Sequence, residues 1–99
     1  MIIVSQDKDT IINFDNIESI DIVADLDGTG KVPYKLYCET STKREELGKY
    51  ATEERAKEVL IEIIQSHVDS ENYKYVNELM KTEELNRLQK GLVYEMPKE

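Results

Sequence analysis

The chain has 99 residues and a formal charge of −8, with a pI near 4.7. That length suits one domain, residues 1–99, with a modest core. The acidity excludes nonspecific binding to nucleic acid, which needs clustered Lys and Arg against phosphates, and it disfavours an anionic membrane surface. No apolar run reaches the length of a membrane span. The opening MIIVSQDKD has neither a basic region nor a long apolar core, so no secretion signal is expected. The single cysteine, Cys38, excludes an intrachain disulfide and a cysteine-based zinc site, and fits a cytoplasmic setting.

In chain order, Met1 to Ser5 is expected to be a short apolar strand, followed by the turn cluster QDKD at 6–9. Thr10 to Phe14 is expected as a second strand, closed by a turn at Asp15 and Asn16 whose side chains can bond their own backbone. Ile17 to Ala24 follows as a third strand, with Ile20, Ile22 and Ala24 on one face. The sequence DLDGTGK at 25–31 is a loop. Val32 to Thr40 is expected as the fourth strand, placing Tyr34, Leu36 and Cys38 on one face and Lys35, Tyr37 and Glu39 on the other, with Pro33 near its start. Arg44 to Tyr50 is the fifth, and Gly48 marks a bulge. Such short connections imply antiparallel neighbours.

The segment TEERAKEVLIEIIQSHV, 52–68, has the pattern of an amphipathic helix. Thr52 is expected to cap it, and Glu53 and Glu54 lie near the positive end of its dipole. Ala56, Val59, Leu60, Ile63 and Ile64 form one apolar stripe with His67 on its centre line. Ile61 and Val68 lie on the flank and widen the face to be buried, so either self-association into a homo-oligomer or the tail folding back would cover them. Beyond Val68 the pattern loosens. Ser70 is placed to cap a helix through Lys81, and a break is expected near Thr82 because Leu85 and Leu88 do not continue the stripe. Another turn or two would end at Gly91, and a last strand is expected over 92–96. The expected fold is therefore α+β. An antiparallel sheet of about five strands (1–50) is packed by one long helix (51–68), with a helical tail and terminal strand in 69–99.

Three features carry candidate chemistry. IDIVADLDGT, at 20–29, resembles the first motif of the haloacid-dehalogenase-type phosphatases. The resemblance implies Asp25 as the attacking carboxylate and Asp27 as the proton shuttle beside magnesium. It covers about ten residues. Gly30 stands where that family has a large apolar residue. Asp69 is the only later aspartate, and the chain is short for the doubly wound domain those enzymes need. The same loop scans as a calcium-binding loop through Asp25, Asp27, Thr29 and Gly30, but Leu36 occupies the position of the bidentate Glu. No catalytic, cofactor or metal residues are therefore assigned. His67, the only histidine, has no paired nucleophile in sequence, and Cys38 is expected to be a core thiol.

The candidate interaction surface is the set Glu53, Glu54, Glu58 and Glu62 on the helix with Tyr37, Tyr73 and Tyr75. Carboxylates would meet a basic partner, and tyrosines contribute contact area at low entropy cost. Three segments, VSQDKDTIINFDNIESI, LGKYATEERAKEVLIEII and YEMPKE, resemble a group of small uncharacterised proteins of Firmicute bacteria and their phages. The resemblance implies no activity. It implies a genomic setting among accessory genes of mobile elements, and so a non-enzymatic binder of a host protein in the host cytoplasm, its concrete version an inhibitor of a host defence complex. The alternative expectation is an oligomer that captures a nucleotide-like ligand through Lys31, Lys35, Arg44 or Lys49.

Overall fold

The structure, a computed structural model, describes residues 1–25, 32–76 and 93–99, the side chains of 73–76 excepted. The chain is α+β. It forms strands β1 (Ile2–Val4), β2 (Ile11–Asn13), β3 (Ile17–Ala24), β4 (Tyr34–Thr40) and β5 (Arg44–Tyr50), helix α1 (Glu53–Val76) and strand β6 (Val93–Glu95). The expected five-stranded sheet is instead two three-stranded sheets, ordered β2-β1-β6 and β3-β4-β5. All pairs are antiparallel except β1 with β6, which is parallel.

The split has a local cause between β2 and β3. Residues Phe14–Asn16 form a 3-10 turn capped by Asn13, whose side-chain oxygen accepts from the Asp15 N–H. That turn redirects the chain, so β3 pairs forward with β4 and not back with β2. The first turn is built from polar side chains. Ser5 Oγ donates to Asp7 at 2.6 Å and accepts from the Thr10 N–H. Asp7 also accepts from the Asp9 N–H, and Lys8 takes a positive φ of 64°.

In the second sheet, Ile20, Ile22 and Ala24 stand opposite Cys38, Leu36 and Tyr34, the face expected from alternation. Pro33 lies just before β4, where its missing N–H costs nothing, and its carbonyl accepts from the Asp25 N–H at 2.8 Å. The register of β4 against β5 slips between Leu36 and Tyr37, giving a bulge at Leu47 beside Gly48. A Cβ on Gly48 would lie 3.0 Å from Tyr50 Oη and 3.3 Å from Gln6 Cβ, so any larger residue would push these side chains back by a few tenths of an ångström.

α1 starts as expected. The Arg55 N–H donates to Thr52 Oγ1 at 3.1 Å, and the Ala56 N–H to the Thr52 carbonyl. It does not end at Val68, the expected boundary. It continues through Ser70 to Val76, because nothing in that stretch is Gly or Pro and Ser70 is buried as an interior helix residue. The expected helix from Ser70 is thus the second half of α1, and the features expected over 77–92 lie outside the described residues. β6 confirms a terminal strand.

One core joins all three layers. Ile3, Ile12 and Tyr94 come from the first sheet, Leu36, Cys38, Leu47 and Tyr50 from the second, and Ala56, Val59 and Ile63 from α1. The apolar stripe of α1 is narrower than expected. Ala56, Val59 and Ile63 are fully buried, whereas Leu60 is half-buried and Ile64 is exposed. His67 is half-buried, its ring stacked on Phe14 with centroids 4.4 Å apart. It pins the distal part of the helix to the turn after β2.

Candidate interaction surface

Each sheet has one face on the core and one facing away. On the β3-β4-β5 sheet the outward residues are polar apart from Val23, and several engage one another. Arg44 pairs with Glu39 at 2.7 Å and lies over the Tyr37 ring at 4.6 Å. Tyr37 also reaches toward Glu46, and Lys35 toward Asp25 at 3.8 Å. The candidate Tyr37 is therefore half-buried under a guanidinium and not a bare aromatic.

The acidic helix residues are also largely occupied. Arg55 bridges Glu58 and Glu62 at 3.1 and 3.2 Å. Burial works against its charge, but the two carboxylates outweigh that and raise its pKa. Glu62 further accepts from Tyr94 Oη at 3.1 Å, and Glu53 pairs with Lys57 at 3.0 Å. Glu54 alone of the four has no such partner among the described contacts. Tyr73 and Tyr75 belong to α1, but their side chains lie outside the described residues.

The outward face of the β2-β1-β6 sheet differs. Ile3, Ile12 and Tyr94 take the core side. The intervening residues, Ile2 beside Val93 and Val4 beside Ile11, turn outward as two adjacent rows. Ile2, Ile11 and Val93 are 41%, 69% and 50% exposed, and Val4 is half-buried. Asn13 and Glu95 complete the rows, with Glu95 paired at 3.7 Å to Lys8. Strands buried on both faces have this unalternating apolar sequence, and here no described residue covers the outward face. The sequence signal was the doublets Ile2-Ile3 and Ile11-Ile12. Without the register, nothing in them says which isoleucine faces outward.

Gln6 is the residue that sequence reasoning missed. Its backbone N–H donates to the Leu47 carbonyl at 2.8 Å. Its side-chain amide then mimics the next peptide unit, accepting from the Lys49 N–H at 2.9 Å and donating to the Lys49 carbonyl at 3.0 Å. The same amide nitrogen reaches the Pro97 and Lys98 carbonyls at 3.1 and 2.8 Å, so two hydrogens are shared among three acceptors. Tyr50 Oη donates to Pro97 and Arg55 Nε to Glu99. Gln6 thus joins the two sheets across a gap that backbone pairing leaves open, and positions the segment after β6. A glutamine in a turn cluster carries no local signal of such a role.

The candidate catalytic groups are placed as follows. Asp25 follows β3, which among the described residues pairs only with antiparallel β4, so the described strands do not form the central parallel strand implied by the phosphatase resemblance. Asp27 and the rest of the loop lie outside the described residues. Among the described residues, no group of three His, Cys, Asp or Glu is arranged to hold a metal ion. Cys38 is buried, and burial first, then Glu45, pushes its thiol pKa up, away from a reactive thiolate.

Two grooves among the described residues bear on ligand binding. One of about 520 Å³ runs between Ile11–Asn13, Asp15–Glu18 and the Thr40–Lys43 turn, and is rimmed mostly by polar and acidic groups. The other, about 360 Å³, has a floor of Val32, Tyr50 and Ala51, with Lys49, Arg55, Lys98 and Glu99 around it. Of the cations expected to meet phosphates, Lys35 and Arg44 are paired with carboxylates, Lys31 lies outside the described residues, and Lys49 lines this second groove. No described helix is long and apolar enough to cross a membrane. No protein-family model, curated protein or solved structure matches the chain.

Proposed function

We propose that the protein is a non-enzymatic binding module that acts by docking on a host protein, in its concrete version a component of a defence complex. The observation that carries this reading is the outward face of the β2-β1-β6 sheet, where Ile2, Val4, Ile11 and Val93 form one apolar patch. Contiguous exposed apolar surface on a sheet is uncommon without a binding role. The partner's chemistry follows from the surroundings: an apolar patch with a basic rim, complementary to a chain of net charge −8. The test uses wild type and the Ile11→Asp/Val93→Asp variant as paired baits. A protein retained by wild type is identified, purified and titrated. Stoichiometric binding that weakens at least tenfold in the variant, and weakens with added salt, supports the reading. Equal binding by both baits, or no specific retention, removes it.

A second reading has its own observation. Lys49 and Lys98 flank an apolar groove of about 360 Å³ that would accept a flat ring bearing an anionic group. In this reading the chain sequesters a nucleotide-like ligand. Thermal-shift titration with mono- and dinucleotides tests it. Stabilisation lost in Lys49→Glu supports it, and no stabilisation by any nucleotide ends it.

A further inference from the structure

Helix α1 is apolar on two sides. Ala56, Val59, Ile63 and Ser70 are completely buried and define the side on the core. Ile61, Ile64 and Val68 are 65%, 53% and 44% exposed. At 100° per residue their stripe is centred roughly 140° around the helix from the buried one. Their spacing is three then four, the alternation of a coiled-coil seam, and a helix with a second apolar stripe is ordinarily covered there too.

The charges along this seam indicate what covers it. Continued at the same spacing, the seam reaches Lys57 on one side and Glu71 on the other, giving Lys57, Ile61, Ile64, Val68, Glu71. Two copies paired in parallel would set Lys57 against Lys57 and Glu71 against Glu71. Two copies paired antiparallel about Ile64 set Lys57 against Glu71 at both ends, with isoleucine on isoleucine between them. The arrangement is self-complementary, as a two-fold interface requires. Antiparallel helix dipoles favour the same orientation. The present Lys57–Glu53 contact is an exposed pair, so releasing Lys57 from it costs little.

We propose that α1 pairs antiparallel with α1 of a second copy across Ile61, Ile64 and Val68, forming a two-fold dimer. This interface is separate from the sheet face assigned to the partner protein, so either assignment stands without the other.

Sedimentation of the full chain over a concentration series tests the pairing. The expected result is a reversible shift from 11.5 kDa toward twice that mass. Ile64→Glu, which puts two like charges face to face at the two-fold axis, abolishes the shift while circular dichroism retains the helix. Lys57→Glu alone and Glu71→Lys alone each weaken association at least tenfold. The combined Lys57→Glu/Glu71→Lys variant restores it, because only antiparallel pairing brings position 57 of one copy to position 71 of the other. A monomer at every concentration overturns the proposal. So does a dimer unaffected by Ile64→Glu, or a double charge swap that fails to restore association.

Discussion

The two sheets were built from similar apolar strands and ended with opposite outer surfaces. In β3-β4-β5 the strands are seven or eight residues long and alternate. Their outward side chains satisfy one another, as in the Glu39–Arg44–Tyr37 stack. In β2-β1-β6 the strands are three residues long, and both faces are apolar. The β3-β4-β5 sheet is a finished surface that faces water. The second is finished only when something lies on it. An interaction surface here is therefore recognised by what fails to alternate, not by charge.

Several measurements press on that contrast. The largest effect is expected in the shared core. Leu36→Ala in one sheet and Ile3→Ala in the other, both fully buried, should each cost about 2–5 kcal/mol. Denaturant melts followed by circular dichroism and tyrosine fluorescence should stay coincident in both variants. Separate transitions for the two would show that the sheets do not share a core.

Next comes the junction between the sheets. Gly48→Ala drives a methyl group to 3.0 Å from Tyr50 Oη, which is held by Pro97, and should cost about 1–3 kcal/mol through overpacking. Gln6→Ala leaves the Lys49 peptide and two tail carbonyls without their partner and should cost about 1–2 kcal/mol. Hydrogen exchange in the Gln6 variant should rise at the Lys49 amide before it rises within β4. Uniform acceleration would count against Gln6 as the bridge.

The same junction has an alkaline signature. Burial pushes the Tyr50 hydroxyl up to about 12, and burial followed by Glu62 pushes Tyr94 up as well. For a group whose folded pKa is raised, stability is fully present below the unfolded value, about 10, and is lost as pH rises through the folded value. The denaturant midpoint should hold up to about pH 10 and fall above it. Phenolate absorbance from these two tyrosines should appear together with unfolding. Full ionisation of all six tyrosines in a still-folded chain would contradict their burial.

The smallest effect belongs to the finished face. Arg44→Ala removes an exposed ion pair and a cation–π contact, and should change stability by less than about 1 kcal/mol. A larger loss would mean that this outer surface is structural after all.

Much of this architecture was legible because its causes are local. Alternation in Ile17–Ala24 and Tyr34–Thr40 placed the correct residues on the core face, Thr52 capped the helix as its type and position imply, and Gly48 lay beside a bulge. The errors share a different cause. Ile64 follows the helical spacing of Leu60 and Ile63 and yet is exposed, because the core covers a narrower arc of α1 than the apolar residues span. Ser70 resembled a new helix start, since serine favours caps, but its side chain is enclosed within a continuing helix. Of the expected surface, Glu58 and Glu62 carry ion pairs that their own positions do not announce. Arg55, three residues before one and seven before the other, takes both.

What the amino-acid order determined by itself was the strands of the described residues, the start of the helix and which side of each long strand is apolar, because these depend on periodicity and on neighbours a few residues away. The tertiary structure alone decided the partition into two sheets, the parallel pairing of β6 with β1, and which isoleucine of each doublet meets water. Those outcomes rest on contacts between residues far apart in the chain, such as Gln6 with Lys49 and Pro97, whose geometry no local pattern encodes.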